Sequence, residues 1–204
     1  MAHVTVGKAA RHEETIEGSR FLAYVWPASG PEEAADLLAA VRAEHPDATH
    51  HCWAYKFGDS QRFSDDGEPG GTAGRPMLEV MLKRELDMLA AVVVRYYGGK
   101  KLGAGGLVRA YSGAVSKALD QAGMRQVVDM VTVTVKAGFA LVDVVLRTVD
   151  ELVAQHPDAR TGEPNFGADG MERELTLPVF HLDAAEARLT EVTNGGVRVL
   201  RPEE

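Results

Sequence analysis

The chain has 204 residues, 45% of them hydrophobic and 25% charged, which suits one large core or two small ones. No apolar run approaches the ~18 residues of a membrane span, and the opening MAHVTVGKAARHEET lacks the apolar core of a signal peptide. A single cysteine, Cys52, excludes an internal disulfide and a thiolate metal cluster, so a cytoplasmic protein is expected. The net charge of −8 is uneven: residues 1–126 carry 15 Lys and Arg against 16 Asp and Glu, and residues 127–204 carry 7 against 14. An acidic module binds phosphate backbones poorly, so any nucleic-acid contact belongs to the N-terminal part.

In chain order, alternation over residues 15–16 and 21–26 predicts two strands about a Gly18-Ser19 turn. Pro31 with Glu32 and Glu33 opens a helix through AADLLAAVRAEH, stopped by Pro46. HHCWAYKF, residues 50–57, reads as an aromatic-rich strand. FSDDGEPGGTAGRP, residues 63–76, then sets neighbouring acids, which repel, among glycines, which lose entropy on ordering. Such a stretch is either a disposable loop or a place where carboxylates and backbone meet something. Thr72 or a neighbour caps the next helix, with Pro76 in its first turn and Met77, Leu78, Met81 and Leu82 as its apolar face. LAAVVVRYY, residues 89–97, is an unbroken apolar run and predicts a strand buried on both faces. It feeds GGKKLGAGG and the helix LVRAYSGAVSKALDQA, which closes on Gly123. Val108, Tyr111, Val115, Leu119 and Ala122 form that helix's apolar stripe.

From about Val127 the pattern restarts. VTVTV is a strand, FALVDVVLRTVDELVAQH an amphipathic helix, and residues 159–166 and 171–179 two strands with Gly167 and Gly170 in their hairpin. DAAEARLTEVTN is a second helix and VRVLR a last strand. This β-α-β-β-α-β order is the ferredoxin-like arrangement. The chain therefore reads as α+β, with an N-terminal α/β domain over 1–126 and a ferredoxin-like domain over 127–204.

Two stretches could carry function. The turn at 98–106 joins a buried strand to a helix N-terminus, so backbone N–H groups of Gly99, Gly105 and Gly106 share a neighbourhood with Arg95, Lys100, Lys101 and Arg109. No acid occurs from 95 to 119. This is a candidate anion site without a nucleotide motif: Gly99-Lys100 is followed by Lys101 and Leu102, and a dinucleotide fingerprint from Gly103 needs glycine where Val108 stands. In the acidic loop, Asp65, Asp66 and Glu68 offer oxygens for a divalent cation, although the calcium-loop spacing is missing. Alternatively these acids face the basic turn and hold the loop by charge-assisted hydrogen bonds. Neighbours in His50-His51-Cys52 point to opposite faces of a strand, and a four-ligand zinc site would need distant residues. No metal site and no cofactor are assigned. If the protein is an enzyme, His51, Ser64, Asp66 and Glu68 are its candidate catalytic set, as a hydrolase or phosphoryl-transfer enzyme with or without a metal ion.

SRF at 19–21, HPDATHHCWAY at 45–55, FSDDGEPGGTAGRPML at 63–78 and VVVRYYGGKKLGAGGLVRAY at 92–111 resemble the YigZ/IMPACT family in its order and spacing. They cover most of residues 15–125, and the C-terminal part looks like the small domain of bacterial members. The resemblance implies an N-terminal domain similar to the second domain of ribosomal small-subunit protein five and to domain IV of elongation factor G. It implies a C-terminal domain similar to domain V of that factor. It further implies a translation-associated regulator that binds RNA, the ribosome or a protein of the translation machinery, with no established catalysis. Eukaryotic relatives regulate translation through protein contacts that use an additional N-terminal domain, and that role is not carried over. The family pattern groups His50 or His51 with Ser64, Asp65, Asp66, Glu68 and Thr72 as an acidic bank, and Arg95, Lys100 and Arg109 as a basic one. The expectation is that the two banks face each other across one crevice.

Overall fold

The computed structural model describes residues 2–202, which fall into two units: His3–Val127, and the residues from Val128 on together with Ala2. Apart from the end residues Ala2 and Val128, the first contains β1 (Ala2–Val6), β2 (Ala10–Ile16), β3 (Ser19–Pro27), α1 (Pro31–Glu44), β4 (His50–Phe57), β5 (Ser60–Ser64), α2 (Gly74–Lys83), β6 (Leu89–Tyr96), α3 (Gly103–Ala122) and β7 (Met124–Val128). Five strands form an antiparallel sheet in the order β2-β3-β6-β4-β5, and β1 pairs with β7 separately. The apolar run of β6 lies at the centre. Ala91 and Val93 pack with Met77 and Met81 of α2 and with Leu107 and Tyr111 of α3, while Val92 and Val94 face Val41 of α1. Burial on both faces follows from helices covering both sides of one strand.

Several local expectations shift. The β2–β3 hairpin turns at Glu17-Gly18, both left-handed at φ 49° and 82°, because Ile16 pairs with Ser19. That places the turn one residue before the expected Gly18-Ser19, with the twist a two-residue hairpin prefers. The third helix starts at Gly103 rather than Leu107. Its buried face runs through Leu107, Ala110, Tyr111, Ala114, Val115, Ala118, Leu119 and Ala122. Val108, one residue and therefore about 100° further round, is 36% exposed, and Leu82 at the end of α2 is 38% exposed. Strands β1, β5 and β7 had no counterpart in the sequence pattern.

The second unit contains β8 (Met130–Ala137), α4 (Val142–Gln155), β9 (Arg160–Thr161), β10 (Asn165–Gly167), β11 (Gly170–Pro178), α5 (Leu182–Val192) and β12 (Val197–Leu200). Its sheet runs β10-β11-β8-β12, with β9 also on β11. The β-α-β-β-α-β order is present, with its second strand broken into β9 and β10. Val133, Val135, Leu175 and Leu177 of the sheet pack against Val145 and Val149 of α4 and Leu189 of α5. Among the described residues no helix is long and apolar enough to cross a membrane.

Candidate functional site

The loop between β5 and α2 keeps its acids because the fold supplies each with a partner. Residues 65–68 close a turn in which the Glu68 N–H donates to the Asp65 carbonyl at 2.9 Å. Asp66 and Gly67 are both left-handed, at φ 43° and 87°, which Asp and Gly tolerate better than other residues. The turn aims Asp65 at the start of α2. Its Oδ2 accepts the Gly71 N–H at 2.7 Å, and its Oδ1 accepts those of Ala73 and Gly74 at 3.0 and 2.8 Å. A carboxylate thus satisfies otherwise unpaired N–H groups at a helix N-terminus, where negative charge is favourable. Thr72 does not cap this helix; its hydroxyl donates to the Pro69 carbonyl at 2.6 Å, and Ala73 is the N-cap. Gly74 is required by space, since a Cβ there would stand 2.5 Å from the Ser64 carbonyl oxygen. Asp66 accepts from Arg42 Nη2 at 2.9 Å and from the His51 backbone N–H at 2.7 Å. The Ser64 hydroxyl oxygen accepts the Asp66 N–H at 3.2 Å.

Beneath the loop lies a buried polar cluster. Glu68 Oε1 accepts from Arg95 Nη1 at 2.6 Å and from the Tyr111 hydroxyl at 2.7 Å, with the two charged side chains 3% and 5% exposed. Arg95 also donates to the Ser19 hydroxyl at 3.2 Å, and its guanidinium lies over the rings of Phe21 and Tyr97, 5.4 Å from each. His50 is the cross-strand partner of Arg95; its Nδ1 donates to the Asp66 carbonyl at 2.8 Å and its Nε2 lies 3.9 Å from Glu68 Oε1. The Cys52 thiol donates to the Asp65 carbonyl at 3.0 Å. Burial pushes this thiol up to about 12 and drives the Tyr111 phenol far upward, so both keep their protons. Cys52 is therefore inert as a nucleophile. The His51 ring lies between two partners: Nε2 donates to the His45 carbonyl at 3.0 Å and Nδ1 lies 3.9 Å from Asp66 Oδ2, while burial lowers its pKa.

Both histidines meet the loop: the His50 ring through the Asp66 carbonyl, and His51 through its backbone N–H on Asp66 Oδ2, with its ring Nδ1 3.9 Å from the same oxygen. Of the candidate catalytic set, Ser64, Asp66 and His51 adjoin one another, and Glu68 is set apart beneath the loop. Ser64 and Asp66 are engaged with backbone and Arg42, Glu68 with Arg95 and Tyr111, and the His51 ring with His45. Among the described residues no group of three or more His, Cys, Asp and Glu is placed to hold a metal ion.

The basic turn divides. Arg95 meets the acidic loop, but Lys100, Lys101 and Arg109 line a separate groove of about 470 Å³ with Lys117, Glu14, Glu17 and Ile16. None of residues 63–76 lines it, so this groove does not join Lys100, Lys101 and Arg109 to the acidic loop. The cause is where the strand ends. Arg95 is still in β6 and points beneath the acidic loop to Glu68, whereas Gly98 passes so close to the β2–β3 turn that a Cβ would stand 2.0 Å from the Gly18 carbonyl oxygen. Gly99, left-handed at φ 87°, then redirects the chain, and the lysines emerge beside β2. Gly99 itself accepts a hydrogen bond from the Tyr97 hydroxyl at 2.7 Å.

Gly105 and Gly106 are in the first turn of α3, and Gly106 helps line the groove. Lys100 pairs with Glu17, and Lys117 Nζ donates to Glu14 Oε2 at 2.6 Å. Among the described residues Lys101 and Arg109 have no carboxylate partner. Sequence reasoning missed Ser19, Arg42 and Tyr111 beneath the loop, and Glu14, Glu17 and Lys117 in the groove. Only the helical spacing of Arg109, Gly113 and Lys117 could have pointed to the last of these.

The family model described as the Impact N-terminal domain matches residues 17–119. IMPACT family member YigZ of Escherichia coli is 38% identical over 196 residues, 94% of this chain and 93% of that protein. IMPACT family member YvyE of Bacillus subtilis is 48% identical over 126 residues, a match spanning 60% of this chain and 58% of the Bacillus protein. A crystal structure of a hypothetical protein, 34% identical, superimposes with a TM-score of 0.66 over 100% of this chain and 98% of its own. The motif-bearing strands, the acidic loop and most of the basic groove fall inside the matched 17–119 segment, and the chain belongs to the IMPACT family.

Proposed function

We propose that this protein is a binding module that engages RNA, on the ribosome or in its vicinity, through the groove of Lys100, Lys101, Arg109 and Lys117, with no chemistry of its own. One observation carries the reading. In a chain of net charge −8, four cations line one groove that holds two acids, and among the described residues two of those cations have no carboxylate partner. A local positive strip on an acidic protein recruits a phosphate backbone and keeps other polyanion contacts weak. The same reading takes the N-terminal unit to be of the kind found in ribosomal small-subunit protein five and domain IV of elongation factor G. It takes the C-terminal unit to be of the kind in domain V of that factor. A hydrolase or phosphoryl-transfer role fits less well, because the acids it needs are committed to capping, to Arg42 and to Arg95.

The test is titration of a labelled single-stranded RNA at rising salt, for the protein and for a Lys100→Ala, Lys101→Ala, Arg109→Ala variant. With up to four phosphates neutralised, the logarithmic salt slope should approach about −3. The triple variant should lose binding while remaining folded. Salt-independent binding, or binding unchanged in the triple variant, overturns the reading.

A further inference from the structure

The groove holds its own anions as well as its cations, and their placement bears on which ligand it accepts; this inference rests on the RNA-binding reading. Glu14 and Glu17 belong to β2 and the turn that follows it, while the cations belong to the 98–102 turn and one face of α3. On that face Gly106, Ala110, Gly113 and Lys117 succeed one another at helical spacing, a run of about 16 Å along the axis. Glu17 occupies one cation, Lys100, and Glu14 another, Lys117. Lys101 and Arg109 are the members without a carboxylate partner among the described residues. The floor is low: a Cβ on Gly113 would meet no atom of the described residues within 4 Å, so the space above it is open.

We propose that the groove takes an extended, single-stranded phosphodiester backbone, and that Glu14 and Glu17 are the residues that turn away isolated phosphate groups and mononucleotides. A lone phosphate can reach Lys101 and Arg109, but it does so beside two carboxylates of its own sign. A strand presents several phosphates at once. It replaces both carboxylates on Lys100 and Lys117 in one binding event, and each later phosphate binds at the high effective concentration set by the first. The Lys100–Glu17 pair, with side chains 68% and 51% exposed, is a surface pair and costs little to break. Lys117 is 52% exposed but Glu14 only 19%, and Glu14 also lies 3.8 Å from His12, so it keeps a neighbour when Lys117 turns to a phosphate. The carboxylates thus hold back anions with a single phosphate group more than they hold back a strand.

The experiment is fluorescence anisotropy of a labelled single-stranded RNA, with orthophosphate and adenosine monophosphate as competitors. It compares the protein, a Glu14→Gln, Glu17→Gln variant, Glu17→Gln alone, and the Lys100, Lys101, Arg109 triple variant. The double variant should bind RNA about tenfold tighter, and the monophosphate should compete at about tenfold lower concentration than with the unmodified protein. Glu17→Gln, on the exposed turn, should show part of both changes and covers the case in which replacing Glu14 perturbs the fold. Glutamine variants that bind and discriminate as the unmodified protein does would overturn the inference while leaving RNA binding by the groove intact. Absence of RNA binding by the unmodified protein, or binding indifferent to the triple variant, removes both.

Discussion

Glu68 and Glu17 lie in the same unit, and each is paired with a cation far away in sequence, yet they do different work. Glu68 is 3% exposed and held by a guanidinium and a phenol; Glu17 is half exposed and held by one flexible lysine. The first pair sits where water cannot substitute for a lost partner, so both charges are obligatory once either is present. The second sits where water and salt compete for both ends, so its members remain available. A dense run of charged residues therefore marks function only where the charges stay exchangeable. The acidic loop is conspicuous in sequence and is consumed by the fold, while the quieter groove keeps charge free for a ligand.

The sharpest way to break this contrast is to remove Glu68. Glu68→Ala leaves Arg95 as a buried cation without its carboxylate and Tyr111 without its acceptor, and it should cost about 3–5 kcal/mol in denaturant unfolding. A loss below about 1 kcal/mol would place Glu68 with the surface pairs and dissolve the distinction. Asp65→Ala comes next. It strips three backbone N–H groups of one shared acceptor and should cost about 2 kcal/mol, with hydrogen exchange accelerating at Ala73 and Gly74. Unchanged exchange at those two amides would mean that α2 does not depend on the loop.

A pH series sharpens the same comparison. His51 has a folded pKa lowered chiefly by burial, so the unfolded chain takes up a proton more readily than the folded one. Stability from this group is complete above the unfolded value of about 6.5 and declines as pH falls below it. The fall in urea midpoint from neutral to mildly acidic pH should be shallower in His51→Gln. Equal slopes would show that the ring is not held neutral by its surroundings.

Much of the fold was legible because local chemistry and tertiary context agreed. HHCWAYKF and LAAVVVRYY are strands on composition, and helix covering both faces of β6 rewards an apolar run with no alternation. Other elements gave no local signal. β5 is SQRFS at a sheet edge with most of its residues exposed, and β1 and β7 find each other across more than a hundred residues. The site was legible as a set of residues and illegible as an arrangement. Glu68 meets Arg95 and Tyr111 at separations of 27 and 43 residues, and Glu14 meets Lys117 at 103. Spacing along a strand or helix cannot report such pairings. The turn at Gly98-Gly99, which sends Arg95 inward and the lysines outward, depends on how closely the β2–β3 hairpin approaches.

The smallest expected effect on stability is the most discriminating. Arg95, Lys101 and Arg109 were grouped as one basic feature, yet only Arg95 has a buried carboxylate depending on it. Arg95→Ala should cost stability on the scale of Glu68→Ala, because it leaves the opposite charge of the same pair uncompensated. Lys101→Ala and Arg109→Ala remove exposed charges that have no carboxylate partner among the described residues, and each should move stability by no more than about 0.5 kcal/mol. RNA affinity should show the reverse order when measured under conditions where all three variants are folded. If Lys101→Ala proved as destabilising as Arg95→Ala, the groove would be another part of the scaffold. Its positive charge would then serve the fold, and a ligand would have to be sought elsewhere on the chain.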